Sequence, residues 1–374
     1  LLPYRSYVLI SREQLVRNYR SVRAAAGPGL AVMAVVKANA YGHGAVEVAR
    51  ALVSAGVEGL AVSSVTEGVT LRRAGIGTPI LVMTGVLPAE WNALADSHLT
   101  PAIHSLDDLR AIDRMARESG RNVDYHLKID SGMHRLGTRA RAGEIIAALR
   151  EATHACLVGL MTHFASPADY SSPQTEEQTA YFSAIIEQLR AAGFAPPHIH
   201  MSSTNALAYK RNPPWLTMVR PGHALYGYVS PARGDAPKPE LDVKPILTWK
   251  AKILTVKEIP EGALVGYGGS FRAPGPMRIA VLAAGYADGV PHRLSNRGKV
   301  IAAGKLVPIL GTVSMDLTTI DITQAATLGP GDEVTLLGRE GGASLNAQQI
   351  ARMAGTISYA ILCGIGDRVE RVYV

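Results

Sequence analysis

Ala34-Val35-Val36-Lys37-Ala38-Asn39-Ala40-Tyr41-Gly42-His43-Gly44 is the stretch around which the rest of the chain can be read. It closes an apolar run over residues 30–36 that is short for a helix and rich in valine, so it reads as a buried strand. A lysine stands where that strand ends, a Gly-bracketed turn follows, and residues 45–52 carry a helical pattern. In strand-then-helix units, ligands and catalytic groups gather at the C-terminal ends of the strands. Burial there lowers a lysine's pKa, and the neutral amine is a nucleophile. Taken alone, Lys37 reads more simply as a residue that ends a strand and reaches water.

The neighbouring sequence repeats the same unit. Strands are predicted at 59–64, 79–85, 100–104, 123–129, 159–164, 199–203 and 218–226, which with the Lys37 strand makes eight. Helical patterns fall between them at 65–74, 106–119, 142–152 and 175–192. Eight strands, most paired with a helix, predict a parallel (β/α)8 barrel; a doubly wound open sheet fits the alternation, but the strand count favours the barrel. Upstream lie a short strand at 4–10 and a helix capped by Ser11 and stopped near Gly27-Pro28-Gly29.

Past Tyr228 the pattern changes. Residues 230–245 are rich in Pro, Gly and charge and read as a linker. Short strands then recur at 246–256, 278–283, 299–301, 307–310, 318–322 and 333–337, with one helix at 347–354. The fold class is therefore α/β plus β: a barrel domain over 1–235 and a mostly β domain over 236–374. The strand at 4–10 is available to pair with the second domain.

Composition narrows the function classes. Hydrophobic residues at 47% and charged residues at 18% fit a large packed core and exclude a disordered chain. The net charge of +7 comes without a block of like charges or aromatic interleaving, so it points to a diffuse basic surface or an anion-binding pocket rather than nucleic acid. Cys156 and Cys363 form neither a disulfide framework nor a zinc spacing. No apolar run approaches the roughly 20 residues of a membrane helix, and residues 1–5 show no signal-peptide pattern. Cytoplasm is the default location.

The Lys37 stretch resembles the pyridoxal-phosphate lysine motif of the alanine racemases, V-K-A-N-A-Y-G-H-G, without a break. The resemblance continues along nearly the whole chain. It implies a pyridoxal 5'-phosphate enzyme with Lys37 as the cofactor lysine and one catalytic base. Arg220-Pro221-Gly222-His223 to Gly227 matches R-P-G-x-x-L-Y-G, and Ser202-Ser203-Thr204-Asn205 precedes a short helical pattern. By the resemblance Tyr41, Ser203, Thr204, Gly222, His223 and Tyr359 hold the phosphate, and Arg220 faces the pyridine nitrogen. A guanidinium cannot give up a proton there, which favours racemisation over transamination. Asp130-Ser131-Gly132-Met133-His134-Arg135-Leu136-Gly137 is similar to D-T/S-G-M-x-R-L-G, so Arg135 is placed near the cofactor's phenolic oxygen and the substrate carboxylate. Lys128 matches a position carbamylated in some relatives, and His163 a histidine stacked on the pyridine ring.

Val265-Gly266-Tyr267-Gly268-Gly269 resembles the family loop whose tyrosine is the second base. A tyrosine starts near a pKa of about 10 and needs cationic neighbours to serve at neutral pH. In the family this loop reaches the partner's site, so Tyr267 implies a homodimer with composite active sites. Gly311 to Asp316 is similar to G-x-x-x-M-D, which makes Met315 and Asp316 substrate-binding, and Tyr286 matches an entrance-gating tyrosine. Ser203 stands where asparagine is frequent, Thr204 where serine is usual, and Ala360 where glutamate commonly follows Tyr359. The activity implied is reversible interconversion of L- and D-alanine, supplying D-alanine for peptidoglycan. A broader amino-acid (serine) racemase and a related barrel decarboxylase stay open. A non-enzymatic cofactor carrier is disfavoured by the second domain. No metal, nucleic acid or membrane partner is expected.

Overall fold

The computed structural model describes residues 4–325 and 327–374. Residues 1–3, part of the N-terminus where no signal-peptide pattern was read, lie outside it. The first strands are β1 (Ser6–Ile10), β2 (Ala31–Val35), β3 (Gly59–Val62), β4 (Ile80–Val82) and β5 (Thr100–Ile103). They continue as β6 (Val123–Lys128), β7 (Ala155–Met161), β8 (His198–His200) and β9 (Met218–Val219). The chain resolves into two compact units: a barrel unit, Leu15–Ala40 with Ala45–Lys244, and a β unit, Leu1–Gln14 with Tyr41–Gly44 and Pro245–Val374.

In the barrel unit, β2 to β9 form one parallel sheet in the order β8-β7-β6-β5-β4-β3-β2-β9. The open ends of this order meet: Thr217 and Arg220 donate their N–H groups to Ile199 and Ser202 carbonyls (3.0 and 2.9 Å), so the sheet is the predicted (β/α)8 barrel. Its strands are short, and their near-continuous apolar runs, such as Leu60, Ala61 and Val62, are buried because helices cover the outside and side chains fill the inside. Several predicted strands prove shorter. That at 218–226 ends at Val219, because Pro221 has no N–H to add to a ladder and residues 222–228 instead close successive turns, with Gly227 at φ 94°. That at 199–203 ends at His200, since Ser203 precedes the helix Thr204–Ala208.

The β unit holds β10 (Leu247–Ile259), the hairpin β11 (Leu264–Val265) and β12 (Phe271–Arg272), β13 (Met277–Leu282) and β14 (Lys299–Ala302). It is completed by β15 (Lys305–Leu310), β16 (Thr318–Asp321), β17 (Glu333–Glu340), β18 (Ala343–Leu345) and β19 (Glu370–Tyr373). Long β10 pairs with β1, β13 and β17, which turns the sheet back on itself. β1 lies between β10 and β19, so the N-terminal strand belongs to this sheet. The sequence reading missed β19, the Phe271 strand and the helix Ser358–Cys363, each too short for periodicity to register.

Inside the barrel one glycine is dictated by its neighbour. A Cβ on Gly159 of β7 would fall within the ring of His126 on β6, opposite it in register. Gly159→Ala therefore displaces that ring, and we expect a loss of about 1–3 kcal/mol in unfolding free energy by urea titration. A variant as stable as wild type would show that the ring has room to move.

Candidate active site

Lys37 follows β2 by two residues, at the C-terminal end of its strand. The backbone then does something the sequence gave no sign of. Ala38, Asn39, Ala40 and Tyr41 all take left-handed conformations, with φ between 51° and 54°. Each non-glycine residue there costs roughly 1–2 kcal/mol, so the turn is held by other bonds. Glu67 accepts from the Ala38 and Ser63 N–H groups (both 2.7 Å), and the Asn39 side chain accepts from Ala45 N–H (2.8 Å). In the β unit, Gly42 and Gly44 carry the chain on at φ 81° and 90°, where a Cβ would strike the Leu362 carbonyl and the Tyr373 hydroxyl respectively.

Arg220, just after β9, is 3% exposed. Burial lowers its pKa to about 10, which still leaves it charged at neutral pH. Its Nη1 donates to His200 Nδ1, and its Nη2 to the Thr162 carbonyl (2.7 Å), with His163 Nδ1 at 3.4 Å. Arginine has no acceptor, so His200 must present a bare Nδ1 and carry its proton on Nε2. That Nε2 lies 2.7 Å from His126 Nδ1, which is then the acceptor. Desolvation, and then nearby charges led by Arg220, hold His163 down to about 3 and His200 well below its ordinary value; for His126, held to about 3, His198 ranks ahead of Arg220. The imidazoles are neutral. Arg220 Nε keeps no acceptor among the described residues and remains available to a ring nitrogen.

Lys128, at the end of β6 and 6% exposed, drops from 10.5 to about 8, first by burial and then by Arg220 and Arg135; Asp130 opposes this and Lys37 adds to it. Beyond Lys128 the loop is drawn tight. Asp130 Oδ1 accepts from the N–H groups of Gly132, Met133 and His134 (3.0–3.1 Å), and Thr138 N–H bonds back to the Lys128 carbonyl (2.9 Å). Arg135 stands exposed on this loop. Buried Gln178 ties the loop to His163 by bonding Ser131 Oγ, the His163 carbonyl and Ala165 N–H.

Thr204 Oγ1 accepts from Gly222 and Ala224 N–H groups (3.3 and 3.1 Å), joining the loop after β8 to that after β9. Ser202 Oγ is fully buried with no partner among the described residues. An orphaned hydroxyl beside Ser203, Thr204, Gly222 and His223 fits an anion's oxygen, so the donor set suits a phosphate. In the β unit, Tyr41 and Tyr359 pack with ring centroids 5.9 Å apart. Tyr286 and Ala287 N–H groups bond the carbonyls of Ser314 and Met315 (both 2.9 Å), while Met315 and Asp316 N–H find no acceptor among the described residues. Tyr267 sits on the β11–β12 turn, its carbonyl held by Thr312 Oγ1 (3.1 Å) and its side chain 77% exposed.

The sequence model described as "Alanine racemase, N-terminal domain" matches residues 10–231, and that of the C-terminal domain matches 246–373. The chain belongs to the alanine racemase family. It is 39% identical to an alanine racemase of Halothermothrix orenii over 95% of this chain and 93% of that one, and 37% identical to one of Synechocystis sp. over the full length of both. The crystal structure of alanine racemase from Streptomyces lavendulae superposes with a TM-score of 0.91 at 32% identity, covering 100% and 98% of the chains. That from Bartonella henselae, described with covalently bound pyridoxal phosphate, does so at 0.86 and 28%, covering both chains fully. Enzymes of this family depend on pyridoxal 5'-phosphate.

The structure brings Lys37, Lys128, Arg135, His163, Ser203, Thr204, Arg220, Gly222 and His223 to the C-terminal ends of the barrel strands or the loops after them. Tyr41, Tyr267, Tyr286, Met315, Asp316 and Tyr359 belong to the β unit. Sequence reasoning passed over His126, His200, Thr162 and Gln178, and named Ser202 only within the Ser202–Asn205 cluster. Alternation was the available signal: His126 and Lys128, or His198, His200 and Ser202, recur every second residue along a strand and so share a face.

Lys128 titrates lower in the folded chain than in the unfolded one, so between about pH 8 and 10.5 the unfolded chain binds more protons and stability rises with pH. In carbon-dioxide-free buffer, wild type should gain unfolding free energy over Lys128→Met as pH is raised through that window. A pH-independent difference would mean an ordinary lysine.

Proposed function

We infer that the chain interconverts L- and D-alanine through two bases on opposite faces of the substrate. The observation that carries this reading is buried, charged Arg220 with its Nε left unbonded, in a barrel whose Lys37 ends a strand, in a member of this family. Pyridoxal 5'-phosphate, when bound, supplies an aldehyde for covalent linkage and a ring that draws electron density from the substrate's Cα–H bond. Lys37 would carry the aldehyde, and its Nζ would take or return the Cα proton on one face. Arg220 Nε would hold the ring nitrogen without releasing its own proton. Ser202, Ser203, Thr204 and the Gly222–His223 backbone would receive the phosphate. Arg135 would bind the substrate carboxylate as a fork, and the N–H groups of Met315 and Asp316, offered by a second copy of the chain, would add donors to it.

The hydroxyl of Tyr267 would serve the opposite face, from a second copy of the chain. Tyr267, Leu264 and Met315 are exposed at 77%, 59% and 54%, large apolar side chains that a partner subunit would cover. A homodimer with shared sites follows, acting in the cytoplasm and supplying D-alanine for peptidoglycan. No helix of the described residues is long and apolar enough to cross a membrane.

Chiral analysis of cofactor-loaded protein with L-alanine in deuterated water tests the reading. D-alanine labelled at Cα is the expected product. Lys37→Ala should cut the rate by about 10²–10⁴-fold or more, and Tyr267→Phe should slow proton removal from one enantiomer far more than from the other. Product from serine but not alanine would redirect the substrate, and amine in place of D-amino acid would make the decarboxylase the better reading.

We also propose that Lys128 carries a carbamate. A lowered pKa supplies the neutral amine such an adduct needs, and Arg135 and Arg220 supply the countercharge. Labelled bicarbonate should give a carbamate carbon signal by NMR that Lys128→Met lacks; its absence from wild type would remove this modification and leave the two-base reading standing.

A further inference from the structure

Arg368, which none of the site assignments includes, joins the two loops that carry Tyr286 and Met315. Its Nε and Nη2 form a fork on the two oxygens of Asp288 (2.6 and 2.9 Å), and Nη2 also reaches Asp316 Oδ1 (2.8 Å). Asp288 is buried and anchors the Tyr286 loop from within: its Oδ2 accepts from Gly285 N–H (2.7 Å), and its carbonyl accepts from Gly366 N–H (2.9 Å). The segment bearing Arg368 is fixed in turn by Arg371, whose guanidinium bonds the carbonyls of Ile365, Gly366 and Val369 (2.6–2.8 Å). A Cβ on Gly285 would meet the Ser314 and Met315 carbonyls, so the two loops are in close backbone contact.

The two carboxylates do different work. The Asp288 fork is intrinsic to one loop and would hold it alone. The bond to exposed Asp316 crosses to the other loop, whose Met315 and Asp316 N–H groups find no acceptor among the described residues. An exposed ion pair adds little to stability. Here it fixes the position of a turn, and without the guanidinium Asp316 would be repelled by Asp288. Lysine cannot replace it, since one ammonium cannot supply a planar fork and a third bond at once.

We propose that Arg368 is a positioning residue: it acts through Asp316 to hold the Met315–Asp316 turn against the Tyr286 loop, and so sets how tightly the substrate carboxylate is bound. The proposal rests on the racemase reading and on those N–H groups meeting that carboxylate.

A double-mutant cycle on the cofactor-loaded enzyme tests it. Asp316→Ala leaves the buried fork intact; it should raise KM for L-alanine about fivefold with kcat changed less than about twofold, and leave the melting temperature unchanged. Arg368→Lys should raise KM at least as far, and adding Asp316→Ala to it should raise KM no further, because the bond to Asp316 is already lost in Arg368→Lys. Unchanged KM in Asp316→Ala, or effects that multiply in the double variant, would overturn the proposal even if Arg368→Lys folds poorly. Wild type that makes no D-alanine would instead overturn the racemase reading, and this proposal with it.

Discussion

A guanidinium in the middle of a protein needs acceptors around it. Arg220 is such a group, and much of the barrel's interior follows from it. Taking an ion out of water costs several kcal/mol even after relaxation, and leaving it partly bonded is worse than not burying it. The Thr162 carbonyl and the His200 ring meet it here, and no carboxylate among the described residues is hydrogen-bonded to it. Neutral acceptors meet Nη1 and Nη2 without cancelling the charge, and Nε is left unbonded. The consequence spreads outward: His200 is fixed in one tautomer, His126 is fixed as its acceptor, and Gly159 exists because the His126 ring occupies the volume a side chain would need. The same positive field, added to burial, depresses Lys128.

The second constraint lies in the backbone after Lys37. Four successive residues in the left-handed region are expensive, and only Asn39 is of a type that visits it readily. What the strain achieves is direction. A right-handed helix starting at Lys37 would carry the chain on over the strand end, whereas this turn reverses its twist; Glu67 accepts from its Ala38 N–H, and its Asn39 side chain accepts from Ala45 N–H beyond it. Strain of this kind persists only where surrounding bonds over-determine it, and it concentrates at functional sites.

How much of this was legible depends on the length scale of the signal. The barrel was legible because each strand, buried on both faces, writes a run such as Val32 to Val36 and each helix a periodic pattern, and eight such runs leave few architectures. Boundaries were less so: Ile199 to Ser203 looks like one strand, but whether Ser203 continues it or caps a helix is decided by tertiary hydrogen bonds. The left-handed turn was invisible, since Ala38 and Ala40 are strong right-handed helix formers and only their surroundings reverse them. For the site, the motifs named residues that would touch a ligand, while the residues that aim them, His200 behind Arg220 and Gln178 behind His163, lie far away in sequence and carry no local signature.

The choice of arginine also bears on which reaction the site can support. A ring nitrogen beside an acid would be protonated, and the ring would hold electron density long enough for a proton to return elsewhere. Arg220 would donate a hydrogen bond to that nitrogen and retain its proton, since even lowered to about 10 it remains a cation at neutral pH. Its neighbours offer no substitute. His163 and His126 are held to about 3 and His200 well below its ordinary value, so each is neutral and its single N–H is no acid. With the cofactor held there, a barrel interior in which four residues offer no transferable proton would shorten the life of any charge on the ring and favour prompt return of a proton to Cα. The histidine chain thus does more than satisfy a buried cation. By staying neutral, these histidines would offer a bound ring nitrogen no acid, a condition that suits racemisation better than transamination.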